Sequence, residues 1–306
     1  MADRDLQSSA EIVRLAHFSD IHLTAKRLGW RLRDLATKRA TGWMNLKIGR
    51  GRRFRAAEQI VTAMMADIHV RGCHVVFSGD ATTMGFESEF ATAARCLNLG
   101  PPEMLSGLAV PGNHDCYTRS AVRSGFFERF FAPWQLGERL GSAVYPFAQR
   151  VGHCWLIGVN SARSNFLLWD ARGGVDREQS DRLRELLRTL APGPRILVTH
   201  YPLYLADGQP EDRWRMMRDW PEFRSLVVEG EISLWLHGHR HAGYVLPATA
   251  EQPFPIICAG SATQMGRWSY NEYAIAGSRL TMTRRTWDSG AVRFADAETR
   301  EIQLGG

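Results

Sequence analysis

The chain has 306 residues, of which 44% are hydrophobic and 23% are charged, and this ordinary globular composition excludes fibrous and low-complexity proteins. Its five cysteines are scattered and form no CxxC pair, which argues against a disulfide framework or a cysteine zinc site. The first ten residues lack the pattern of a signal peptide, and no apolar run approaches the ~20 residues of a membrane span, so we expect a cytoplasmic protein.

Short strand-like runs alternate with longer helical ones up to Gly243, which is typical of an α/β protein. The predicted strands are Ile12–Phe18, His74–Ser78, Leu108–Val110, Trp155–Val159, Ile196–Thr199 and Ser233–Leu236. Helices are predicted near residues 55–70, 87–98, 118–131 and 176–190. In the last of these, Asp176 is a candidate cap, and an apolar stripe of Leu183, Leu186, Leu187 and Leu190 predicts a face packed on the core.

After Gly243 the pattern predicts consecutive strands and no helix, so we expect a mainly antiparallel sheet to complete the fold. These strands are Tyr244–Leu246, Pro255–Ala259, Tyr270–Ala276, Arg279–Thr286 and Ala291–Phe294. No segment rich in Pro, Gly or Ser interrupts the chain. We therefore expect one domain over residues 11–297, with an insert at about 26–55 and terminal tails at 1–10 and 298–306.

The net charge of +6 is concentrated in the predicted insert. Residues 26–55 contain eleven Lys or Arg and a single acid, Asp34, so this segment carries +10 whereas the rest of the chain carries −4. Trp30, Trp43 and several leucines lie among the basic residues. Such a segment suits an anionic membrane surface or a lipid substrate, but it also suits the backbone and unpaired bases of a nucleic acid. A solvated basic hairpin is the third interpretation.

Polar side chains of metal-ligand type follow five of the predicted strands directly. They are Asp20 and His22, then Asp80, then Asn113, His114 and Asp115, then His200, and finally His239 and His241. Each fragment alone is a common turn, and His200 alone would be an ordinary core histidine. Because the carboxyl ends of strands in α/β sheets are where sites are built, the joint occurrence of all five predicts one site.

The ordered fragments resemble the motif set of the calcineurin-like metallophosphoesterase family, which reads D-x-H, G-D, G-N-H-[D/E], H and G-H-x-H. This chain has Asp20-Ile21-His22, Gly79-Asp80, Gly112-Asn113-His114-Asp115, His200 and Gly238-His239-Arg240-His241. The resemblance implies a four-layer αββα sandwich of two mixed β-sheets flanked by helices, with a dinuclear metal centre. It also implies hydrolysis of a phosphodiester or pyrophosphate bond by metal-bound hydroxide.

The same resemblance assigns a role to each residue of the motifs. Asp20, His22 and His241 would hold one metal, Asn113, His200 and His239 the other, and Asp80 would bridge them. Carboxylate, amide and imidazole ligands without a thiolate suit two divalent ions, with manganese favoured and iron or zinc as alternatives. His114 would contact the phosphate or protonate the leaving oxygen as a catalytic residue. Asp115 would orient His114, or else cap the following helix, and His237 we interpret as a buried strand-end histidine.

The insert indicates which phosphate ester is the substrate. Its Lys-Arg-x-x-Gly-Trp character resembles a divergent group of the family that cleaves the pyrophosphate of UDP-2,3-diacylglucosamine in lipid A synthesis. A second apolar loop at residues 165–169 also favours acyl chains over bases. We therefore expect an amphiphilic, nucleotide-linked lipid substrate and peripheral association with the inner face of a membrane. The expected contacts with substrate or membrane are Arg50, Arg52, Arg53, Trp30 and Trp43.

Two other functions are compatible with the motifs. A soluble cyclic-nucleotide phosphodiesterase or a nuclease would use the same metal centre, and the insert would then bind nucleic acid or only solvent. A catalytically inactive scaffold of the same fold is the remaining alternative, but such proteins are marked by the loss of ligands. Here every ligand of the motif set is present.

Overall fold

The computed structural model describes residues 11–102, 104–165, 167 and 169–305, with only the backbone of Arg50. The predicted tail 1–10, the Arg50 side chain, and Phe166 and Leu168 of the predicted apolar loop lie outside the described residues. Within that part of the chain, the β-strands in sequence order are β1 Val13–Phe18, β2 His74–Phe77, β3 Gly107–Ala109, β4 Phe147–Val151, β5 Cys154–Gly158, β6 Arg195–Val198, β7 Leu234–His237, β8 Tyr244–Leu246, β9 Ile256–Cys258, β10 Ser269–Ala276, β11 Arg279–Asp288 and β12 Arg293–Gln303.

The strands form two six-stranded mixed sheets. The first has the order β12-β11-β10-β1-β2-β3, in which β1, β2 and β3 are parallel and the others antiparallel. The second has the order β4-β5-β6-β7-β9-β8, with a parallel centre from β5 to β9 and an antiparallel strand at each edge. The α-helices are α1 Lys38–Ile48, α2 Ala57–Arg71, α3 Glu87–Cys96, α4 Arg119–Arg123, α5 Phe126–Phe131, α6 Arg177–Thr189 and α7 Trp220–Glu229.

Three apolar clusters separate four layers of secondary structure. One cluster lies between the sheets, where Leu15 of β1 and Ile196 of β6 belong to the same buried group. A second joins the outer face of the first sheet to α2 and α3, and a third joins the second sheet to α6 and α7. Because the central parallel strands are buried on both faces, they appear in the sequence as continuous apolar runs. The predicted αββα sandwich is confirmed.

The leucine-rich helix forms as predicted, with Asp176 as its N-terminal cap. Asp176 accepts a hydrogen bond from the backbone N–H of Gln179 at 2.9 Å. The four leucines of the stripe are all buried. The Gln179 side chain turns away from the cap and donates to the carbonyl of Asn160, which ties α6 to the loop after β5. The apolar stripe of α6 thus packs against the second sheet, as predicted.

Several element boundaries differ from those predicted. The predicted helix 118–131 is two short helices, α4 and α5, because Gly125 adopts a left-handed conformation with φ 56° between them. Strand β4 and helix α7 were not predicted. After Gly243, β10 to β12 pair antiparallel as expected, whereas β9 is antiparallel to β8 on one side and parallel to β7 on the other.

The predicted C-terminal tail is also corrected by the structure. Residues 298–303 continue β12 to Gln303, which pairs with Arg279 of β11. Both strands are largely polar, and Thr281 donates to Glu301 across the hairpin at 2.7 Å. A polar edge hairpin is held by backbone and cross-strand hydrogen bonds, so a hydrophobic pattern does not reveal it. Among the described helices, none is both long and apolar enough to cross a membrane.

Candidate metal centre

The loops that leave β1, β2, β3, β6 and β7 converge at one end of the two sheets. They bring together all seven residues predicted as metal ligands, namely Asp20, His22, Asp80, Asn113, His200, His239 and His241. Most of these side chains are buried. Residues separated by up to 221 positions in the sequence therefore share one small polar volume, as the strand-end argument predicts.

The first ligand group surrounds Asp20. Its Oδ1 lies 3.4 Å from Nε2 of His241 and 3.7 Å from Nε2 of His22, and these two nitrogens are 3.1 Å apart. Burial alone would raise the pKa of Asp20, but the two imidazoles hold it well below its usual value. Within the described part of the chain, the buried Oδ1 atom has no hydrogen-bond partner. A divalent cation between these three atoms would satisfy that oxygen.

Asp80 connects this group to the second one. Its Oδ2 lies 3.7 Å from Nε2 of His22 and 3.5 Å from Nε2 of His200. Asn113 Oδ1 in turn lies 3.2 Å from Nε2 of His200 and 3.0 Å from Nδ1 of His239. Burial disfavours the charged form of His200, yet Asp80 raises the pKa of His200 to about 9. The Asp80 carboxylate thus occupies the position expected of a bridging ligand.

Partners behind the imidazole rings fix which nitrogen faces the centre. Nδ1 of His200 donates to the carbonyl of Ser78 at 2.8 Å, and Nδ1 of His22 lies 3.3 Å from the carbonyl of Thr82. Nδ1 of His241 contacts Oε1 of Gln264. Because these acceptors hold the proton on Nδ1, the Nε2 atoms of the three rings present lone pairs to a metal ion. The donor set fits two divalent ions.

The backbone around the ligands is strained and tightly packed. Asp20, His22, Asp80 and His239 all have positive φ angles between 41° and 66°, a conformation that is uncommon for residues other than glycine. A Cβ at Gly112 would lie 2.1 Å from Oδ1 of Asp80, so only glycine fits there. Such strain concentrates at functional sites and persists where the surrounding structure enforces it.

His114 lies beside the centre and is oriented by a backbone carbonyl. Its Nδ1 donates to the carbonyl of Thr83 at 2.6 Å, its ring stacks on Tyr117 at 5.3 Å, and it meets His22 edge-on at 4.8 Å. A ligand atom of His114 also lies within 4.8 Å of those of His22 and Asp80. The imidazole is therefore held within reach of a group bound at the metals, as a general acid must be.

Asp115 has a role that was not predicted for it. Its carboxylate accepts hydrogen bonds from the backbone N–H groups of Ala81, Thr82 and Gly112 at 3.2, 2.9 and 2.9 Å, and it fastens the loop after β2 to the loop after β3. The helix that follows is capped by Thr118 instead. Burial, reinforced by Asp80, raises the pKa of Asp115 to about 7. Asp115 is thus a residue that positions the Asp80 loop. His237 is buried, as interpreted from the sequence.

Part of the insert packs against the loops of the candidate metal centre, and only the remainder is exposed to solvent. The buried guanidinium of Arg39 bonds to Asp34 and to the carbonyls of Met84 and Gly85, which fastens α1 to the loop after β2. The five contact residues predicted in the insert are placed differently from one another. Trp30 packs on Phe86 at 5.1 Å, Trp43 is 40% exposed, Arg52 and Arg53 are exposed, and the Arg50 side chain lies outside the described residues.

Several residues at the centre were not found from the sequence. Phe54, at the end of the 3₁₀ turn Arg50–Phe54, packs edge-on against His22 at 4.9 Å, and Tyr201 stacks on His239 at 4.4 Å. Gln264 lies in the loop that follows β9, so the strand-end rule would have found it. Phe54 and Tyr201 carry no comparable signal, because aromatic residues are common in any core.

Two cavities open at different edges of the centre. One of about 490 Å³ begins at His241 and is lined by Arg267, Trp268, Arg284 and Trp287 among others. The other, of about 210 Å³, begins at Asn113 and His114 and is lined by polar residues of α1 and of the loop after β5. A substrate at the metals therefore has room for substituents on two sides.

Comparison with known families identifies the fold and its chemistry. The sequence profile of the calcineurin-like phosphoesterases matches residues 13–243, which include all seven candidate ligands and His114. The chain belongs to the calcineurin-like phosphoesterase family. As a member of this family, it is a metal-dependent phosphoric ester hydrolase, and the family implies two divalent metal ions, for which the residues described above are candidate ligands.

Solved structures of this calcineurin-like fold are similar over nearly the whole chain. A dimetal phosphatase from Danio rerio aligns with a TM-score of 0.66 and 12% identity, covering 96% of this chain and 99% of that protein. The purple acid phosphatase PPD1 from yellow lupin (Lupinus luteus) seeds aligns with a TM-score of 0.60 and 12% identity, over 96% of this chain and 54% of its own. GAP50, described as the anchor in the inner membrane complex of Plasmodium, has a TM-score of 0.55 at 12% identity, with 96% and 90% coverage. At these identities the similarity shows the fold alone, and no curated protein matches the sequence.

Proposed function

We propose that this protein hydrolyses a phosphodiester or pyrophosphate bond with two divalent metal ions, of which manganese is favoured and iron or zinc are alternatives. Asp20, His22 and His241 would hold one ion, Asn113, His200 and His239 the other, and Asp80 would bridge them. The observation that carries the proposal is the buried, unpartnered Oδ1 of Asp20 between two imidazole nitrogens, within the described residues. Bound ions would supply the positive charge that activates water and neutralises the phosphate oxygens.

His114 would act on the side of the departing group. Thr83 holds the proton on Nδ1, so the other ring nitrogen is the one that can carry a proton to a leaving oxygen. Stacking on Tyr117 fixes the plane of the ring. A positioned acid of this kind contributes roughly 10²–10⁴-fold to the rate.

The two cavities favour a diester or pyrophosphate over a monoester. A monoester has one substituent on phosphorus, whereas the centre opens into separate cavities at His241 and at His114. The larger cavity offers the guanidinium groups of Arg267 and Arg284 and the indoles of Trp268 and Trp287. Guanidinium groups and indole faces together suit a nucleotide, since they match its charge and its flat base.

We further propose an amphiphilic, nucleotide-linked substrate such as UDP-2,3-diacylglucosamine, reached at an anionic membrane surface. The support is the outer side of the insert, where Leu32 is 89% exposed and Ile48 is 77% exposed within a segment of charge +10. Exposed aliphatic side chains among basic residues suit an anionic lipid surface.

The metal assignment predicts that Asp80→Ala abolishes turnover and lowers the metal content, because it removes the ligand shared by both ions. Metal analysis of the purified protein and hydrolysis of bis(p-nitrophenyl) phosphate with added Mn²⁺ measure the two effects. Asp181→Ala, an exposed carboxylate on α6, is the matched control and should change neither. A full complement of metal and a near-normal rate in Asp80→Ala would refute the assignment.

The substrate class is tested separately with the wild-type enzyme and Mn²⁺. The panel contains bis(p-nitrophenyl) phosphate, cyclic AMP, single-stranded DNA and UDP-2,3-diacylglucosamine. We expect the highest kcat/KM for the lipid-linked pyrophosphate. A higher kcat/KM for cyclic AMP or for DNA would assign the protein to the soluble phosphodiesterases or the nucleases and refute the lipid substrate.

A further inference from the structure

Helix α1 of the insert forms one wall of the smaller cavity beside His114. Lys38, Thr41 and Asn45 lie three and four residues apart, so they share one face of the helix, and all three line the cavity together with Asn113 and His114. Elsewhere on the insert, Leu32 and, near the C-terminal end of α1, Met44 and Ile48 are exposed. The insert thus has an inner face at the active site and an outer face in solvent.

The register of α1 against the site is fixed by close contacts. Thr37 caps the helix by accepting from the N–H of Arg39, and the buried Arg39 guanidinium binds the loop after β2. Gly42 lies so close to Tyr117 that a Cβ there would be 2.5 Å from the tyrosine hydroxyl. Tyr117 stacks on His114, so the inner face of α1 is in fixed register with the proposed general acid.

The charged groups around the cavity leave it cationic. Lys38 Nζ donates to the backbone carbonyl of Asp170 at 3.0 Å, and the Asp170 carboxylate attracts its charge as well. Arg163 bonds to Asp176 at 3.2 Å. The carboxylate of Asp170 also lines the cavity, but Arg172 and Arg218 pair with it at 2.8 and 2.9 Å. Burial lowers the pKa of Lys38, as expected for an amine that is half removed from water.

We propose that this cavity is a leaving-group subsite that selects a second phosphate, with Lys38 and the neutral donors Asn45 and Thr41 binding its oxygens. The proposal rests on the proposed function and narrows its substrates from phosphodiesters or pyrophosphates to pyrophosphates alone. A second phosphate fits because cationic side chains outnumber carboxylates around the cavity, which also offers amide and hydroxyl donors and lies next to His114. A bare alkyl or acyl group would displace water from these groups without replacing its hydrogen bonds.

The reaction at this subsite balances as a hydrolysis. Water gives its oxygen to the phosphorus held at the metals, and the bond from that phosphorus to the bridging oxygen breaks. The bridging oxygen keeps the electron pair and leaves on the second phosphate, which Lys38 and Asn45 hold. The products are two phosphate monoesters, and the protons of water pass to the products or to solvent.

Lys38→Met is the variant that tests the subsite, and Lys47→Met is its matched control on the same helix, because Lys47 is exposed and does not line the cavity. Each protein, loaded with Mn²⁺, is assayed with UDP-glucose and diadenosine pyrophosphate, and with bis(p-nitrophenyl) phosphate, which has no second phosphate. We expect Lys38→Met to lower the ratio of kcat/KM for the pyrophosphates to kcat/KM for the diester about 10-fold, as the loss of one charged hydrogen bond does. Lys47→Met should leave the ratio unchanged.

A binding measurement supplies a readout that does not depend on turnover. The affinity of the methylene-bridged analogue of UDP-glucose, measured by calorimetry, should fall about 10-fold in Lys38→Met and not in Lys47→Met. Equal losses for pyrophosphates and diester, or unchanged binding of the analogue, would overturn the subsite. Wild-type enzyme that hydrolyses the diester but neither pyrophosphate would overturn it as well and leave the proposed function standing. Failure to hydrolyse any of the three compounds would refute the proposed function itself.

Discussion

Single residues at the metal centre combine burial, charge and backbone strain. Asp20 is fully buried, has a positive φ of 54°, and directs Oδ1 to two imidazole nitrogens, while its Oδ2 accepts from the N–H of His239 at 3.0 Å. Each of these features is costly by itself, since an isolated buried carboxylate would be expected to take up a proton. Together, the burial and the strained backbone place the negative charge of Asp20 at the candidate metal centre. Backbone strain is typically found at functional sites of this kind.

His114 is expected to contribute to the chemical step and not to metal binding. His114→Ala should retain both metals and lose roughly 10²–10⁴-fold in kcat for esters with poor leaving groups. The loss should shrink for activated leaving groups such as p-nitrophenolate, because these depart without a proton. Metal analysis and kcat for a series of aryl diesters with rising leaving-group pKa measure both effects.

The same series separates proton donation from phosphate positioning. If His114→Ala loses the same factor for every leaving group, His114 positions the phosphate and does not act as an acid. Loss of a metal ion would instead make it a ligand, which its proximity to His22 and Asp80 allows. Tyr117→Phe keeps the stacked ring, so it should retain most of the activity in this assay.

At the scale of elements, the residues that follow the strands could be predicted from the sequence. The residues that hold them in position could not. Asp20, Asp80 and His200 follow short runs rich in apolar residues, so their positions at strand ends can be read directly from the sequence. The role of Asp115 was not predictable, because its partners are N–H groups of a loop some 30 residues earlier, brought near only by the pairing of β2 and β3. Phe54 and the inner face of α1 were missed for the same reason, since tertiary packing decides them.

Substitution of Gly42 in helix α1 has two opposing effects on stability: a gain in helix propensity and a steric clash. Gly42→Ala in a helix interior would ordinarily raise the free energy of unfolding by about 1 kcal/mol. Here the new Cβ would overlap the hydroxyl of Tyr117, so we expect a decrease of about 1–3 kcal/mol and a lower kcat as Tyr117 and His114 shift. Urea unfolding and diester hydrolysis measure the two effects.

Two further variants test whether the clash with Tyr117 causes the predicted loss of stability and activity. Gly49→Ala, at the end of the same helix, meets no atom within 4 Å and serves as the control that should keep full activity. Adding Tyr117→Phe to Gly42→Ala removes the hydroxyl in question and should recover much of the lost stability. A Gly42→Ala protein that is more stable than wild type and equally active would show that α1 does not press on Tyr117.

At the scale of the whole molecule, charge and exposed apolar surface coincide on the insert. The +10 segment lies beside the active site through α1, while Leu32 and Ile48 project into solvent. Deleting the insert would remove Lys38 and the wall of the smaller cavity together with the proposed membrane contact. Substitutions on the outer face are therefore the informative test, since they leave the inner face intact.

We expect the outer face to drive association with anionic lipid. Arg52→Ser with Arg53→Ser should weaken binding to phosphatidylglycerol vesicles by ~1 kcal/mol per arginine at low salt, and Leu32→Ser with Ile48→Ser should remove an apolar contribution that salt does not screen. Vesicle flotation at two salt concentrations measures both, and hydrolysis of bis(p-nitrophenyl) phosphate should stay unchanged. Val70→Ser with Arg177→Ser, exposed residues on α2 and α6, form the control. If the wild type ignores these vesicles but binds single-stranded DNA tightly at moderate salt, the insert is a nucleic-acid surface, because the same charges then serve a phosphate backbone.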